Sequence, residues 1–188
     1  SSNAVQVIEQ IPTDQPIIFA PDRYLGDWVS RETGRELLLW EGSCEVHEVF
    51  SAQAIADLKQ EHPEAGVLVH PECPAGVREL GDVIGSTKKL LAAVREGPDD
   101  ATWIVVTEPG IIHEMRRARP QATFIEAPAE LAGSQEGSCA NCNTCPHMRR
   151  NTLEKLYLCM QRREPRIELD RELIARARVP IDRMLAIG

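Results

Sequence analysis

Five short apolar runs set the first limit on what this chain can fold into: Ile17-Ile18-Phe19-Ala20, Glu36-Leu37-Leu38-Leu39-Trp40, Gly66-Val67-Leu68-Val69-His70, Thr102-Trp103-Ile104-Val105-Val106 and Ala122-Thr123-Phe124-Ile125-Glu126. Four of them are continuous instead of alternating in polarity. A strand wetted on one face alternates, whereas a parallel strand covered on both faces does not. Between the runs, apolar residues recur with helical period over 5–10, 25–31, 52–60, 77–83, 87–94 and 111–117, each segment ending at Gly, Pro or a polar turn such as Gly97-Pro98. The order α-β-α-β-α-β-α-α-β-α-β predicts an α/β fold: three-layer α/β/α sandwiches with short parallel sheets and right-handed crossovers.

Charge and length narrow the partners. With 21 Lys and Arg against 29 Asp and Glu the net charge is −8, which argues against a nucleic-acid backbone or an anionic membrane surface as a general partner. The 188 residues, 43% hydrophobic and 27% charged, suit one large or two small globular domains. No run approaches the roughly 18 apolar residues a membrane span needs, and the first residues lack a basic-then-apolar secretory pattern. The expected location is cytoplasmic.

In a parallel α/β sheet, ligands gather beyond the carboxyl ends of the strands, and the unusual residues fall there. The runs lead into Ala20-Pro21-Asp22, Glu41-Gly42-Ser43-Cys44, His70-Pro71-Glu72-Cys73, Thr107-Glu108-Pro109-Gly110 and Ala127-Pro128. The recurring strand-x-Pro endings are a faint sign of internal duplication. His70 and Glu72, two positions apart on an extended segment, point to one side and can serve one ligand as an acid–base pair; the bland alternative is a solvated turn with an incidental His. Cys44 lies three residues before His47 on a Gly-containing turn, where packing competes with chemistry. Gly85-Ser86-Thr87-Lys88-Lys89 opens a helix with free amides and two hydroxyls, a nest for carboxylate or phosphate, although Ser and Thr are also ordinary caps. Ser1-Ser2-Asn3 before the first helix carries the same chemistry and the same ambiguity.

Six cysteines are the compositional oddity. Cys139-x2-Cys142-x2-Cys145-Pro146 packs three into one loop, while Cys44, Cys73 and Cys159 are scattered. Without an export signal, metal or redox chemistry is a better reading than a disulfide framework. Soft sulfur ligands suit zinc or an iron–sulfur centre. A structural zinc would need a fourth ligand, His147 or Cys159; alternatively Cys139 and Cys142 pair as a disulfide or bind nothing, leaving Cys145 as the ligand. A helix beginning at Pro146 favours the Cys145 thiolate. That helix is predicted over 148–161, followed by an extended 166–169 and a last helix capped by Asp170, with the tail packed back on the body.

Taken in order, Ser-Ser-Asn-Ala, Phe19-Ala20-Pro21-Asp22 with Leu25-Gly26, Trp40-x-Gly42-x-Cys44-x-Val46-His47, His70-Pro71-Glu72-Cys73, Gly85-Ser86-Thr87 and the Cys run with Met148 resemble the quinolinate synthase family over essentially the whole chain. The resemblance implies three pseudo-symmetric α/β/α domains around a four-iron, four-sulfur (4Fe-4S) cluster held by one Cys from each. It implies condensation of iminoaspartate with dihydroxyacetone phosphate to quinolinate, in de novo NAD biosynthesis, with the iron that lacks a Cys acting as Lewis acid. L-aspartate oxidase or aspartate dehydrogenase would supply the iminoaspartate. Carried onto this chain, Cys44 and Cys145 become cluster ligands, with Cys139 and Cys142 spare thiols able to pair. His70 and Glu72 become catalytic, with Glu72 moving the proton. Ser1, Ser2, His47, Pro71, Ser86, Thr87 and Met148 line the substrate site beside them.

The same resemblance divides the chain into 1–48, the remainder of a middle domain; 49–130, the last domain; and 131–188, the Cys-run loop with terminal helices. The amino-terminal domain and its Cys are absent, so the chain reads as a fragment, inactive alone. Ser-Asn-Ala is also a scar of tag removal, though the run into Val5 favours native residues. Two other readings compete. One is a zinc-stabilised binding module using Cys139, Cys142, Cys145 and Cys159 or His147. The other is a disulfide oxidoreductase at Cys139-x-x-Cys142, disfavoured because no helix starts directly behind the pair.

Overall fold

The computed structural model describes residues 2–129 and 143–187 and separates into two units, 1–144 and 145–188. In the first unit, strands and helices alternate without interruption: α1 (Ala4–Glu9), β1 (Ile18–Phe19), α2 (Arg23–Thr33), β2 (Leu38–Leu39), α3 (Ala52–Glu61), β3 (Gly66–Val69), α4 (Ala75–Arg78), β4 (Val83–Ile84), α5 (Thr87–Glu96), β5 (Thr102–Val106), α6 (Ile111–Ala118) and β6 (Thr123–Glu126). The strands form two parallel sheets, one of β1 and β2 and one in the order β4-β3-β5-β6. The expected α/β architecture is what forms.

The continuous apolar runs earn their hydrophobicity on both faces. Val67 and Val69 of β3 and Ile104 and Val106 of β5 pack with Ile55 of α3 and Val77 of α4. The residues between them, Leu68 and Val105, face Leu90 and Val94 of α5 and Ile112 and Met115 of α6. Each fully buried aliphatic side chain contributes about 1.5–3 kcal/mol. A third cluster packs Ile8 of α1 and Leu25 and Val29 of α2 on Ile17, Phe19 and Leu37. Gly26 lets α2 lie close on that small sheet, because a Cβ there would fall 2.5 Å from Leu39 and 2.8 Å from Phe19.

One element departs from the sequence expectation. The helix anticipated over 77–83 stops at Arg78, and Val83 and Ile84 pair in parallel with Leu68 and Val69 as β4. Two interactions explain the change. A Cβ at Gly81 would meet Val69 at 2.9 Å, so only Gly fits the turn, and Asp82 accepts the Val67 amide at 2.8 Å, fixing the register of the strand that follows.

The second unit holds a 3-10 turn (Met148–Arg150), α7 (Leu153–Arg162) and α8 (Arg171–Leu185). The helix expected over 148–161 is therefore divided: Thr152 caps α7 by accepting the Lys155 amide, and a new helix starts there. Residues 166–169 join no strand. Asp170 caps α8 through the amides of Glu172 and Leu173, and α8 runs on through Pro180. Leu153, Leu156, Tyr157, Met160, Ile174 and Leu185 are exposed. Among the described residues no helix is long and apolar enough to cross a membrane.

Within the first unit, the two sheets are tied by a buried cation. Arg78 of α4, only 4% exposed, donates to the Asp27 carboxylate of α2 and, at 3.1 Å, to the Tyr24 carbonyl. Removing the carboxylate strands a guanidinium out of water. Since the Asp27 side chain is 37% exposed and partly screened, Asp27→Ala is expected to lower unfolding free energy by about 2 kcal/mol in urea titration. A loss below about 0.5 kcal/mol would place the tie between the sheets elsewhere.

Candidate active site

Beyond the carboxyl ends of β2, β3 and β5, five polar side chains meet: Cys44, His47, His70, Glu72 and Thr107. The chain leaves β2 through a turn set by Asp22, whose carboxylate accepts the Leu25 amide at one oxygen and the Cys44 amide at the other, both at 2.8 Å. Arg23 donates its amide to the Gly42 carbonyl at 2.8 Å. The Cys44 carbonyl then accepts the amides of His47 and Glu48, each at 3.0 Å, so Cys44 and His47 share one helical turn. Asp22 is buried, which raises its carboxyl pKa; the two amides oppose that shift.

From β3, His70 donates its amide to Val106 on the neighbouring strand at 3.1 Å, placing the His70-Pro71-Glu72 turn at the sheet edge. The His47 ring lies between these elements and is 7% exposed. Its Nδ1 is 3.0 Å from Glu72 Oε2 and its Nε2 is 3.0 Å from the buried Thr107 hydroxyl at the end of β5. His70 stacks on it, ring centroids 4.2 Å apart and planes 8° from parallel. The Glu72 amide approaches His70 Nδ1 at 3.4 Å, making Nδ1 the acceptor and leaving the proton on Nε2.

Burial acts on both imidazoles, and neighbours decide the outcome. It lowers His47, but hydrogen bonds to Cys44 and Glu72 and attraction to both raise it to about 9. For His70, burial and the charge on His47 outweigh Glu72, and the pKa falls to about 4. Burial would raise Glu72, yet the hydrogen bond from His47 and the two imidazoles hold it below the usual carboxylate value. At neutral pH the site therefore holds an imidazolium, a neutral imidazole and a carboxylate.

One ligand atom from each of Cys44, His47 and Glu72 lies within 4.8 Å of the others, a set able to hold a metal ion. Cys73 is not available for ligation: it is fully buried, its Sγ donates to the Val106 carbonyl at 3.7 Å, and burial pushes the thiol pKa up. Cys145 is a half-buried free thiol in the second unit, where Met148 is exposed. Ser1, Cys139 and Cys142 lie outside the described residues, and Ser2 is exposed.

Ser86 caps α5 by accepting the Lys89 amide at 3.4 Å, and Thr87 follows, exposed, as the first helical residue. Gly85 donates its amide to the Val69 carbonyl at 3.1 Å, so this helix start adjoins the His70 turn. A cavity of about 410 Å³ lies apart from these residues, between Thr13 to Ile17 and Arg35 to Leu38.

Sequence reasoning missed Thr107 and the part played by Asp22. The signal for Thr107 was its strand: β5 pairs with β3 at Val69 and Val106, so the next residue on each strand, His70 and Thr107, leaves the sheet at the same level. Asp22 looks like a helix cap, and nothing in its spacing announces its second acceptor role at Cys44.

The sequence model of the quinolinate synthetase A protein family matches residues 1–186. A quinolinate synthase of Synechococcus sp. is 54% identical over 188 residues, all of this chain and 57% of the relative. One from Thermosynechococcus vestitus is 55% identical with the same coverage. One from Chloroherpeton thalassium is 50% identical over all of this chain and 56% of its own length. The chain thus spans little more than half the length of these curated relatives.

The two imidazoles give stability opposite pH slopes. His70, lowered from 6.5 to about 4, resists a proton that the unfolded chain accepts, so stability falls as pH drops through that window. His47, raised to about 9, contributes below pH 6.5 and loses that contribution as pH rises toward 9. Urea unfolding at pH 4.5, 6.5 and 8.5 is expected to peak at the middle value, with each limb of order 1–3 kcal/mol. His70→Phe, which keeps a ring in the stack, should flatten the acid limb; an unchanged limb would mean that other groups cause it.

Proposed function

The chain belongs to the quinolinate synthetase A family, and from that membership we propose that, within a longer protein, it forms part of a quinolinate synthase. The reaction is condensation of iminoaspartate with dihydroxyacetone phosphate, giving quinolinate, phosphate and two waters, in NAD biosynthesis. L-aspartate oxidase or aspartate dehydrogenase supplies the iminoaspartate. The observation that carries this reading is the convergence of Cys44, His47, His70 and Glu72 at the strand ends.

The donor chemistry fits a 4Fe-4S cluster at Cys44. Its thiol is free and half-buried, its amide is pinned by Asp22, and the buried Cys73 nearby does not compete. Cys145 would be a second ligand, and a third would come from the length of the relatives that this chain does not span. When bound, the cluster supplies an iron without a Cys ligand, a Lewis acid toward substrate oxygen. Met148 would line the substrate site beside it.

The protein's own groups divide the remaining work. Glu72, kept ionised by His47, is the base that takes a proton from substrate carbon and returns it to a departing oxygen. His70, neutral with its proton on Nε2, donates a hydrogen bond to a substrate carbonyl or hydroxyl. His47, positively charged and held at both nitrogens, favours anionic substrates. Thr87 and the first amides of α5, with Ser86 as cap, bind a substrate carboxylate, and Ser1 or Ser2 does the same at the start of α1. Pro71 fixes the turn between the two catalytic side chains.

Two variants of the longer protein separate these roles. Cys44→Ser is expected to lose the brown chromophore, the bound iron and quinolinate formation together. Glu72→Gln should keep the iron and lose at least about a hundredfold in kcat. Full iron content with quinolinate formation in Cys44→Ser would overturn the assignment of that residue.

A further inference from the structure

A buried hydroxyl completes the hydrogen bonding of the His47 ring. Glu72 Oε2 lies 3.0 Å from Nδ1 and Thr107 Oγ1 lies 3.0 Å from Nε2, so carboxylate, imidazole and hydroxyl form one line of contacts drawn from three strand ends. A carboxylate only accepts, so Nδ1 carries a proton toward Glu72. A hydroxyl accepts or donates, so Nε2 keeps its partner whether or not the ring is charged. The same three groups in that order make up a hydrolytic triad, but Thr107 is only 3% exposed, and a nucleophile there could not reach a substrate.

The backbone that carries Thr107 is pinned on both sides. Val106, the residue before it, offers its carbonyl to the His70 amide at 3.1 Å and to the Cys73 thiol at 3.7 Å, while the Ala127 amide bonds the Val105 carbonyl at 3.1 Å. β5 is thus held between β3 and β6 up to its last residues, and the hydroxyl stands at the end of an interior strand instead of on a loop. What it holds extends beyond the ring it touches. His47 fixes Glu72 Oε2, leaving the second oxygen for substrate, and His70 stacks on the same ring with centroids 4.2 Å apart and planes 8° from parallel. A turn of the His47 ring would therefore disturb the partner of Glu72 and the stacked face of His70 together.

We propose that Thr107 is a positioning residue of this centre: its hydroxyl fixes the plane of the His47 ring and, through that ring, the orientation of the Glu72 carboxylate and the His70 imidazole. The consequence for turnover rests on the quinolinate synthase reading above, whereas the bond itself belongs to this chain. Being buried, Thr107 acts through His47 alone, so its loss falls on kcat and spares substrate binding and the iron. Valine keeps the shape without the hydroxyl, so Thr107→Val leaves a buried ring nitrogen unpaired and releases the ring to turn. Serine returns the hydroxyl.

In the longer protein, Thr107→Val is expected to lose about 10–100-fold in kcat, the effect of removing the partner that orients a functional histidine. KM should stay within about twofold and the iron content should be unchanged, with Thr107→Ser restoring most of the rate. A second measurement needs no turnover. In the 188-residue chain with isotope-labelled histidine rings, the Nδ1 proton of His47, identified by its absence in His47→Gln, should resonate far downfield in the NMR spectrum and exchange slowly. It should be lost in Thr107→Val and return in Thr107→Ser. Should Thr107→Val fail to fold by circular dichroism, Thr107→Ala removes the same hydroxyl with less bulk and is read in the same two ways. A parent enzyme that forms no quinolinate would sink the quinolinate reading alone and leave the ring proton to decide the bond. A kcat within about twofold of the parent in Thr107→Val, a loss of iron along with rate, a rate that serine does not restore, or a ring proton indifferent to the hydroxyl would each overturn the positioning role.

Discussion

Both nitrogens of the buried His47 ring are bound inside the protein, one to Glu72 beyond β3 and one to Thr107 beyond β5. That constraint organises the strand ends. A buried imidazole with an unmet nitrogen is costly, so the turn after β2 can rest only where both partners are within reach, and this fixes where Cys44 stands. His70 then stacks on the same ring, and the charge on one imidazole keeps the other neutral. Electrostatic roles that one residue type could not hold in isolation are separated by contact alone.

Two further ties keep that arrangement from drifting. Asp22 spends its two oxygens on two chain segments, the start of α2 and the Cys44 turn, so the helix and the thiol move together. Arg78 links the same helix to α4 on the larger sheet through Asp27 and the Tyr24 carbonyl. The small sheet needs these links. A two-stranded sheet is marginal by itself, and Ile18, Leu38 and Trp40 on this one are exposed. Its position relative to β3 and β5 comes from polar contacts buried between elements more than from the strands themselves.

How much of this could be read from sequence depends on which interactions decide each feature. The strands of the larger sheet were legible because both of their faces are buried, leaving the continuous runs at 66–70 and 102–106. β4 was not, because two residues carry no period, and what makes Val83 and Ile84 a strand is the Asp82 bond to Val67 and the space denied at Gly81. The break before α7 rests on a single cap at Thr152, too local for a periodic pattern to reveal. Of the site, His70 and Glu72 were visible through their spacing and Cys44 with His47 through theirs. The union of the two pairs was not, because it depends on β3 and β5 lying side by side in register. Thr107 stayed hidden for the same reason.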